Sequence, residues 1–409
     1  MTETPALDEF ADEARRFLDR HADRRTAEEF VWGEGADSAG ILEEKEADQE
    51  RVELEAVKNW RATLFDAGFG WITGPTRYGG RQLPDEYERT YRSIEAEYDV
   101  PSQAMIGIGL GMVAPTILAH GTDEVKDSYL RALYRGEIIA CQLFSEPVAG
   151  SDLAGIQTRA IRDGDEWIVT GQKVWTSGAH YSDIGEIITR TSPDKPKHKG
   201  MTMFLVDMKE PGVESRPLRQ MTGGASFNEV FFDEVRIPDS HRLGDVDEGW
   251  TVALTTLMNE RASIGAKGGG GSLDMDRLIE TARHYGDTGD PVVRQRLADV
   301  WINNEVARLT NLRALSKIEA GELPGPEMSI AKLALTANFQ RTSAVVSEVL
   351  GPRLAADTGE WGSYAWSELV NGAPGLRVAG GTDEVMRNIV GERVLGLPKE
   401  PRGEDEGRR

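Results

Sequence analysis

The hydrophobic period changes twice along this chain, which restricts it to an order of helices, then sheet, then helices. Leu7, Phe10, Ala11, Ala14, Phe17 and Leu18 recur at helical spacing, as do Val57, Trp60, Leu64 and Phe65, so two amphipathic helices with one buried face each are predicted. Gly68 to Pro84 is crowded with Gly and Pro and reads as irregular. Helical patterning then resumes through DEYERTYRSIEAEY, an apolar segment around MIGIGLGMVAPTILAHG, and Glu124 to Arg135, which ends near Gly136. From Ile138 the period shortens. TRAIRDGDEWIVTGQKVWT carries Asp163-Gly164 between two extended runs, a hairpin signal, and EIITRT, GMTMFLVDM and NEVFFDEVRIP add β-branched and aromatic runs. Helical spacing returns near Trp250 and continues to Leu397, with breaks at Gly268 to Gly271, Gly321 to Pro326 and Gly351 to Gly362. The expected architecture is α+β, mainly α. It comprises an N-terminal helical domain over 1–139, a small middle β domain over 140–243, a C-terminal helical domain over 244–398 resembling a four-helix bundle, and a tail over 399–409. No internal repeat is evident.

Two stretches of the middle domain carry chemistry. Cys141 to Asp152, CQLFSEPVAGSD, leaves an apolar run, turns at Pro147 and ends in Gly150-Ser151-Asp152, where small residues let backbone N–H groups approach a bound group. Lys173 to Ala179 ends an extended run on Trp175-Thr176, which sets a flat ring beside a hydroxyl. That pair suits an aromatic ligand, one residue covering its face and the other bonding its edge, and a flavin meets the description. No GxGxxG stands between a strand and a helix, since the glycines at Gly107 to Gly111 fall in an apolar helix. No His/Cys/carboxylate cluster has metal spacing, and His198 lies in the Pro- and Lys-rich stretch SPDKPKHKG, read as an exposed loop.

Composition narrows the partners. Asp and Glu number 69 against 47 Lys and Arg, a formal charge of −22, which repels nucleic acid and anionic membranes. Only 12 of the basic residues are Lys, and so acidic a surface suggests a cytoplasm of high salt. The single Cys141 cannot form an intramolecular disulfide or a cysteine-rich zinc site and reads as a small buried hydrophobe. The acidic start MTETPALDEFADEARRF is not a signal peptide, and no stretch approaches the roughly 18 apolar residues of a membrane span. A cytoplasmic protein is expected.

Phe144-Ser145-Glu146-Pro147 with Ala149-Gly150-Ser151-Asp152, then Lys173-x-Trp175-Thr176, then GGTDEVMRNIVGERVLGLP from Gly380, resemble the acyl-CoA dehydrogenases in order and separation, over residues 8 to 398. The resemblance implies FAD as cofactor, an acyl-CoA thioester as substrate, a 2,3-enoyl-CoA as product and an electron-transferring flavoprotein as acceptor. It also implies a homotetramer or a mixed tetramer. Alternatives within the fold are a flavin oxidase or monooxygenase, and a non-catalytic subunit of a mixed tetramer. By resemblance, Gln142, Leu143, Phe144, Ser145, Gly150, Ser151, Trp175, Thr176 and Ser177 contact the flavin, Ser151 also reaching substrate. Arg283, in Arg283-His284-Tyr285, with Gln295 downstream, matches the Arg that grips the cofactor phosphates across a subunit interface. Glu348 and Gly351 stand where the family commonly has a Gln and a Gly pair, and Thr382 and Glu384 belong to the C-terminal cofactor motif.

The base departs from the common pattern. Most of the family carries a Glu immediately before the Gly-Thr of the C-terminal motif, but Gly380 stands in its place. A subset places the base on an upstream helix before an Arg, as in Met258-Asn259-Glu260-Arg261, which makes Glu260 the candidate base and Met258, Arg261 and Gly381 candidate substrate contacts. Gly380 keeps a backbone N–H, which in the family stabilises the thioester oxygen as an enolate forms. Consecutive Gly at 268 to 271 costs about 1 kcal/mol per residue in a helix, so the helix either breaks there or opens room for a wide acyl group.

Overall fold

The structure is a computed structural model describing residues 4–26, 30–40, 47–266, 274–286, 288–319 and 328–399. The chain divides into two compact units, Met1–Glu28 with Lys45–Asn259, and Glu29–Glu44 with Glu260–Arg409.

The first unit opens with helices α1 (Leu7–His21), α2 (Ala47–Asp66) and α3 (Asp85–Glu95), and a short ribbon of β1 (Asp23–Arg24) with β2 (Tyr98–Asp99). The helical spacing seen in the sequence is spent on one aromatic cluster, in which Phe10, Phe17, Trp60, Leu64, Phe69, Tyr87 and Tyr91 are all buried. Further on come α4 (Ala114–His120) and α5 (Asp123–Arg135). The boundaries of α5 have visible causes. Thr122 caps its first turn by accepting from Val125 N at 3.3 Å, acidic Asp123 and Glu124 follow, and Gly136 ends it in the left-handed region at φ 80°.

An eight-stranded sheet follows, built from β3 (Ala140–Leu143), β4 (Arg159–Asp163), β5 (Glu166–Ser177), β6 (Ile184–Arg190), β7 (Met201–Asp207), β8 (Val213–Leu218), β9 (Phe227–Pro238) and β10 (Arg242–Leu243). Its order is β10-β7-β6-β4-β5-β9-β8, with β3 added parallel to β6. The Asp163-Gly164 signal is a hairpin in which Asp163 faces Glu166. Alternation along β6 sorts the two faces. Ile184 and Ile188 join a core with Val113, Ala114, Ile117, Met203 and Leu205, whereas Ile187 joins Cys141, Leu143, Trp167, Phe204 and Val230 on the other side. Glu186 therefore projects into the first of these apolar layers. It is fully buried, accepts from Thr256 Oγ1 at 2.7 Å, and its Oε2 has no hydrogen-bond partner among the described residues. Burial pushes its carboxyl up to about 8.

α6 (Gly249–Ala266) runs from the first unit into the second, which continues with α7 (Met275–Tyr285), α8 (Pro291–Glu319), α9 (Met328–Leu350), α10 (Ala365–Leu376) and α11 (Asp383–Ile389). Leu278, Val300, Phe339, Val346, Leu350, Trp366 and Leu369 form its core. Residues 30–40, placed by sequence order with the N-terminal helices, pack here instead. Asp37 accepts from Gly362 N at 2.9 Å and from Arg277 Nη2 at 2.7 Å, and Trp32 stacks on His284 with 4.0 Å between ring centroids. Among the described residues no helix is long and apolar enough to cross a membrane.

Candidate active site

In the first unit the two motif stretches are fastened to each other by a buried ion pair. Lys173, on β5, is fully buried and donates from Nζ to Phe144 O at 3.0 Å and Glu146 Oε1 at 2.8 Å. The second oxygen of Glu146 accepts from Gln157 N at 2.6 Å, and Oε1 also accepts from Thr158 N at 3.0 Å. Burial pulls the Lys173 ammonium below its usual range, and Glu146 opposes that shift. For Glu146, burial pushes the carboxyl up, but the Lys173 charge and these donors outweigh it and the net shift is downward. Val174 N completes the join by donating to Ser145 O at 2.9 Å.

Immediately after this clamp the strand is strained. Lys173 faces Val230 and Thr176 faces Asn228, so β5 carries one extra residue over the interval, a β-bulge. Trp175 occupies it at φ 60°, a left-handed conformation disfavoured for a bulky residue. The bulge turns the Trp175 ring outward, 62% exposed and edge-on to Phe227, while Thr176 stays buried with an Oγ1 that has no hydrogen-bond partner among the described residues. An orphaned buried hydroxyl next to an exposed flat ring is what a planar heterocycle with an accepting edge would complete, so these residues fit FAD.

The other cofactor candidates divide by location. Leu143 lies with its side chain in the sheet core and Phe144 in the opposite apolar layer, which leaves their backbone as the contact surface; Gln142, Ser145 and Ser177 are half-buried. Gly150 and Ser151 are exposed, and a Cβ added at Gly150 would meet nothing within 4 Å, so the loop is open to close approach.

In the second unit, Gly380 and Gly381 have φ 65° and 93°, and Thr382 caps α11 by accepting from Val385 N at 3.2 Å. Asp383 fixes this turn from below, accepting from Lys332 Nζ at 2.9 Å, Thr336 Oγ1 at 3.0 Å and Arg377 Nε at 2.8 Å. Burial acts to raise the Asp383 carboxyl, but these donors prevail and hold it below the usual range. A cleft of about 490 Å³ opens beside the motif, lined by Val370, Pro374, Arg377, Val378, Thr382 and Glu384.

Arg283 is exposed and pairs with Glu280, while its neighbour Tyr285 donates to Trp361 O at 2.7 Å. Gln295 is exposed on α8, Glu348 is exposed on α9 and pairs with Arg296, and Gly351 follows at φ 53°. Glu260 is half-buried on α6 and Met258 is 64% exposed. The Arg261 side chain and Gly268 to Gly271 lie outside the described residues.

Sequence reasoning quoted Glu146, Lys173 and Asp383 within motifs but gave none a role, and it passed over Lys332. No local pattern marked the first pair, because Lys173 sits among Gly171, Gln172 and Thr176 in a strand end of mixed polarity.

Residues 4–137, 141–235 and 247–395 match the family models described as acyl-CoA dehydrogenase N-terminal, middle and C-terminal domains. The chain is 34% identical to acyl-CoA dehydrogenase IpdE1 of Mycobacterium tuberculosis, over 87% of this chain and 91% of that one. It is 38% identical to acyl-CoA dehydrogenase FadE34 of the same organism over 89% of this chain, yet spans only half of that relative's length. Among solved structures, the Tcur3481-Tcur3483 steroid ACAD superposes with a TM-score of 0.74 at 26% identity, covering 97% of this chain and 99% of that one. The ChsE4-ChsE5 complex from Mycobacterium tuberculosis gives 0.72 at 26%, covering 98% and 100%.

Proposed function

This chain belongs to the acyl-CoA dehydrogenase family, with FAD as its cofactor, and on that premise we propose that it dehydrogenates an acyl-CoA thioester to the 2,3-enoyl-CoA. The observation that carries the reading is the bulge at Trp175-Thr176, an exposed ring and an unpaired buried hydroxyl on a rigid strand end. Bound FAD supplies the two-electron acceptor for the β-hydrogen. Trp175 would cover the ring and exclude water, Thr176 Oγ1 would donate to its edge, and by the family resemblance Glu260 would take the α-proton into its carboxylate as the C–C bond becomes double. The Gly380 N–H stabilises the thioester oxygen while charge develops there. Arg261 serves the CoA moiety.

Electrons pass onward to an electron-transferring flavoprotein. The likeness to a steroid ACAD makes a polycyclic acyl-CoA the first substrate class to examine. Ile302, Val306 and Leu309 recur at helical spacing on α8, and with Trp301 and Leu312 each is about half exposed, which supports burial between copies in a homotetramer. Mixing the purified yellow protein anaerobically with a series of acyl-CoAs tests the function. Bleaching of the visible flavin band by at least one thioester is expected, and a flavin that no thioester reduces would refute the assignment.

A further inference from the structure

Behind Thr176 runs a hydrogen-bonded chain of residues that lie outside both motif stretches. Asn228, on β9, is fully buried and donates from Nδ2 to Thr176 O at 3.0 Å. Its Oδ1 is 3.2 Å from His180 Nδ1 and accepts from Ser215 Oγ at 3.4 Å, and His180 Nε2 is 2.8 Å from Glu50 Oε2 on α2. The protons in this chain can be assigned from the partners. A carbonyl only accepts, so the amide nitrogen of Asn228 must face Thr176, and its oxygen must face His180. The Nδ1 of His180 then carries a hydrogen. On the far side of the ring Nε2 lies 2.8 Å from Glu50 Oε2, so the imidazole bridges Asn228 and Glu50.

We propose that Glu50, His180 and Asn228 are a positioning relay that holds the Trp175-Thr176 bulge in its ring-facing conformation. This rests on the reading of that bulge as the flavin contact. A left-handed tryptophan persists only when its surroundings over-determine it. The Lys173–Glu146 pair secures the strand before the bulge, and the relay secures the carbonyl directly after it. Asn228 Nδ2 adds a side-chain donor to a carbonyl that is otherwise positioned by the β5–β9 ladder, and without it the bulge is held less firmly on this side.

The test is amide hydrogen exchange on the FAD-loaded protein, read over residues 174–178, together with the visible flavin spectrum, for His180→Phe and His180→Arg. His180→Phe keeps a ring but bonds neither partner, and exchange at 174–178 is expected to rise by up to about tenfold, the factor that losing one buried hydrogen bond produces. Peptides of β6 and β7 should be unchanged, and the flavin band should shift. His180→Arg, whose guanidinium donates to both Glu50 and Asn228, should keep parental protection. Parental exchange in His180→Phe overturns the relay. Equal loosening in both variants overturns it as well, since packing rather than donation would then be responsible. If the amides loosen while the flavin band stays parental in both His180→Phe and Trp175→Ala, it is the flavin-contact reading of the bulge that falls.

Discussion

Replacing Glu186 with methionine should stabilise the first unit at neutral pH and leave it unchanged near pH 5. The carboxyl is fully buried in an apolar layer with one hydrogen-bond partner among the described residues, and burial pushes it up to about 8. An unfolded Glu releases its proton near roughly 4.3. Between those values the folded chain holds a proton that the unfolded chain has lost, so stability is fully present below the unfolded value and drains away as pH rises toward the folded one. The loss reaches about 3.5 kcal/mol by pH 7. Methionine removes this term and leaves no new orphan, because Thr256 and Thr116 remain 2.9 Å apart and Thr116 donates to Met112 O at 2.9 Å. Against the gain stands the lost Thr256 bond, about 1 kcal/mol. The net effect is near zero at pH 5 and about 3 kcal/mol at pH 7.5, or roughly 6–12 °C in Tm for a unit of this size. Calorimetry of parent and variant at both pH values measures it, and taking the difference cancels the many surface carboxylates that also titrate. A Tm difference that is the same at pH 5 and pH 7.5 would refute the argument that Glu186 is held neutral.

Other outcomes are expected. Thr176→Val removes an unpaired buried hydroxyl, so apoprotein stability should hold or rise while FAD affinity falls by about 0.5 to 1.5 kcal/mol, measured by flavin fluorescence on titration; unchanged affinity returns the residue to simple packing. Glu260→Gln should still bind acyl-CoA but reduce flavin about a hundredfold more slowly or worse, and full activity would exclude it as the base. Gly380→Glu in that background should rescue only in part, because φ 65° strains any side chain there by roughly 1 kcal/mol or more; stopped-flow reduction over several acyl lengths reads both. Lys173→Met strands Glu146 in the interior and should cost about 3–5 kcal/mol, with loss of FAD on gel filtration, whereas the double variant Lys173→Met/Glu146→Gln should recover much of it. Added KCl should raise Tm, because self-repulsion among charges summing to −22 is screened; a fall in Tm with salt would exclude that account.

Local periodicity was enough to order this chain. The heptad-like spacing of Phe10, Ala14 and Phe17 and the extended runs from Ile138 each report which face is buried within a few residues, and the structure places helices and strands there. The motif stretches were legible for the same reason, since CQLFSEP and KVWT are contiguous. Spacing along a strand also made Trp175 and Thr176 neighbours on paper. It could not give φ 60° at Trp175, which depends on β9 supplying one residue fewer across the sheet.

What the sequence determined by itself is therefore the order of elements, the family, and the chemical types present at the site. Tertiary structure alone decided who partners whom. Glu146 and Lys173 stand 27 residues apart, His180 and Glu50 stand 130 apart, and Lys332 and Asp383 stand 51 apart. Each is an unremarkable polar residue in a one-dimensional reading and becomes a fastening of the site only when its partner is known. Residues 30–40 make the same point for the backbone, leaving their sequence neighbours to pack on α7 and on the loop before α10 through Asp37, Arg277 and Gly362. The physical reason is common to all of them. Periodicity encodes which side of an element is apolar, but an ion pair or a capped loop is specified by the closure of long stretches of chain, and no local pattern carries that information.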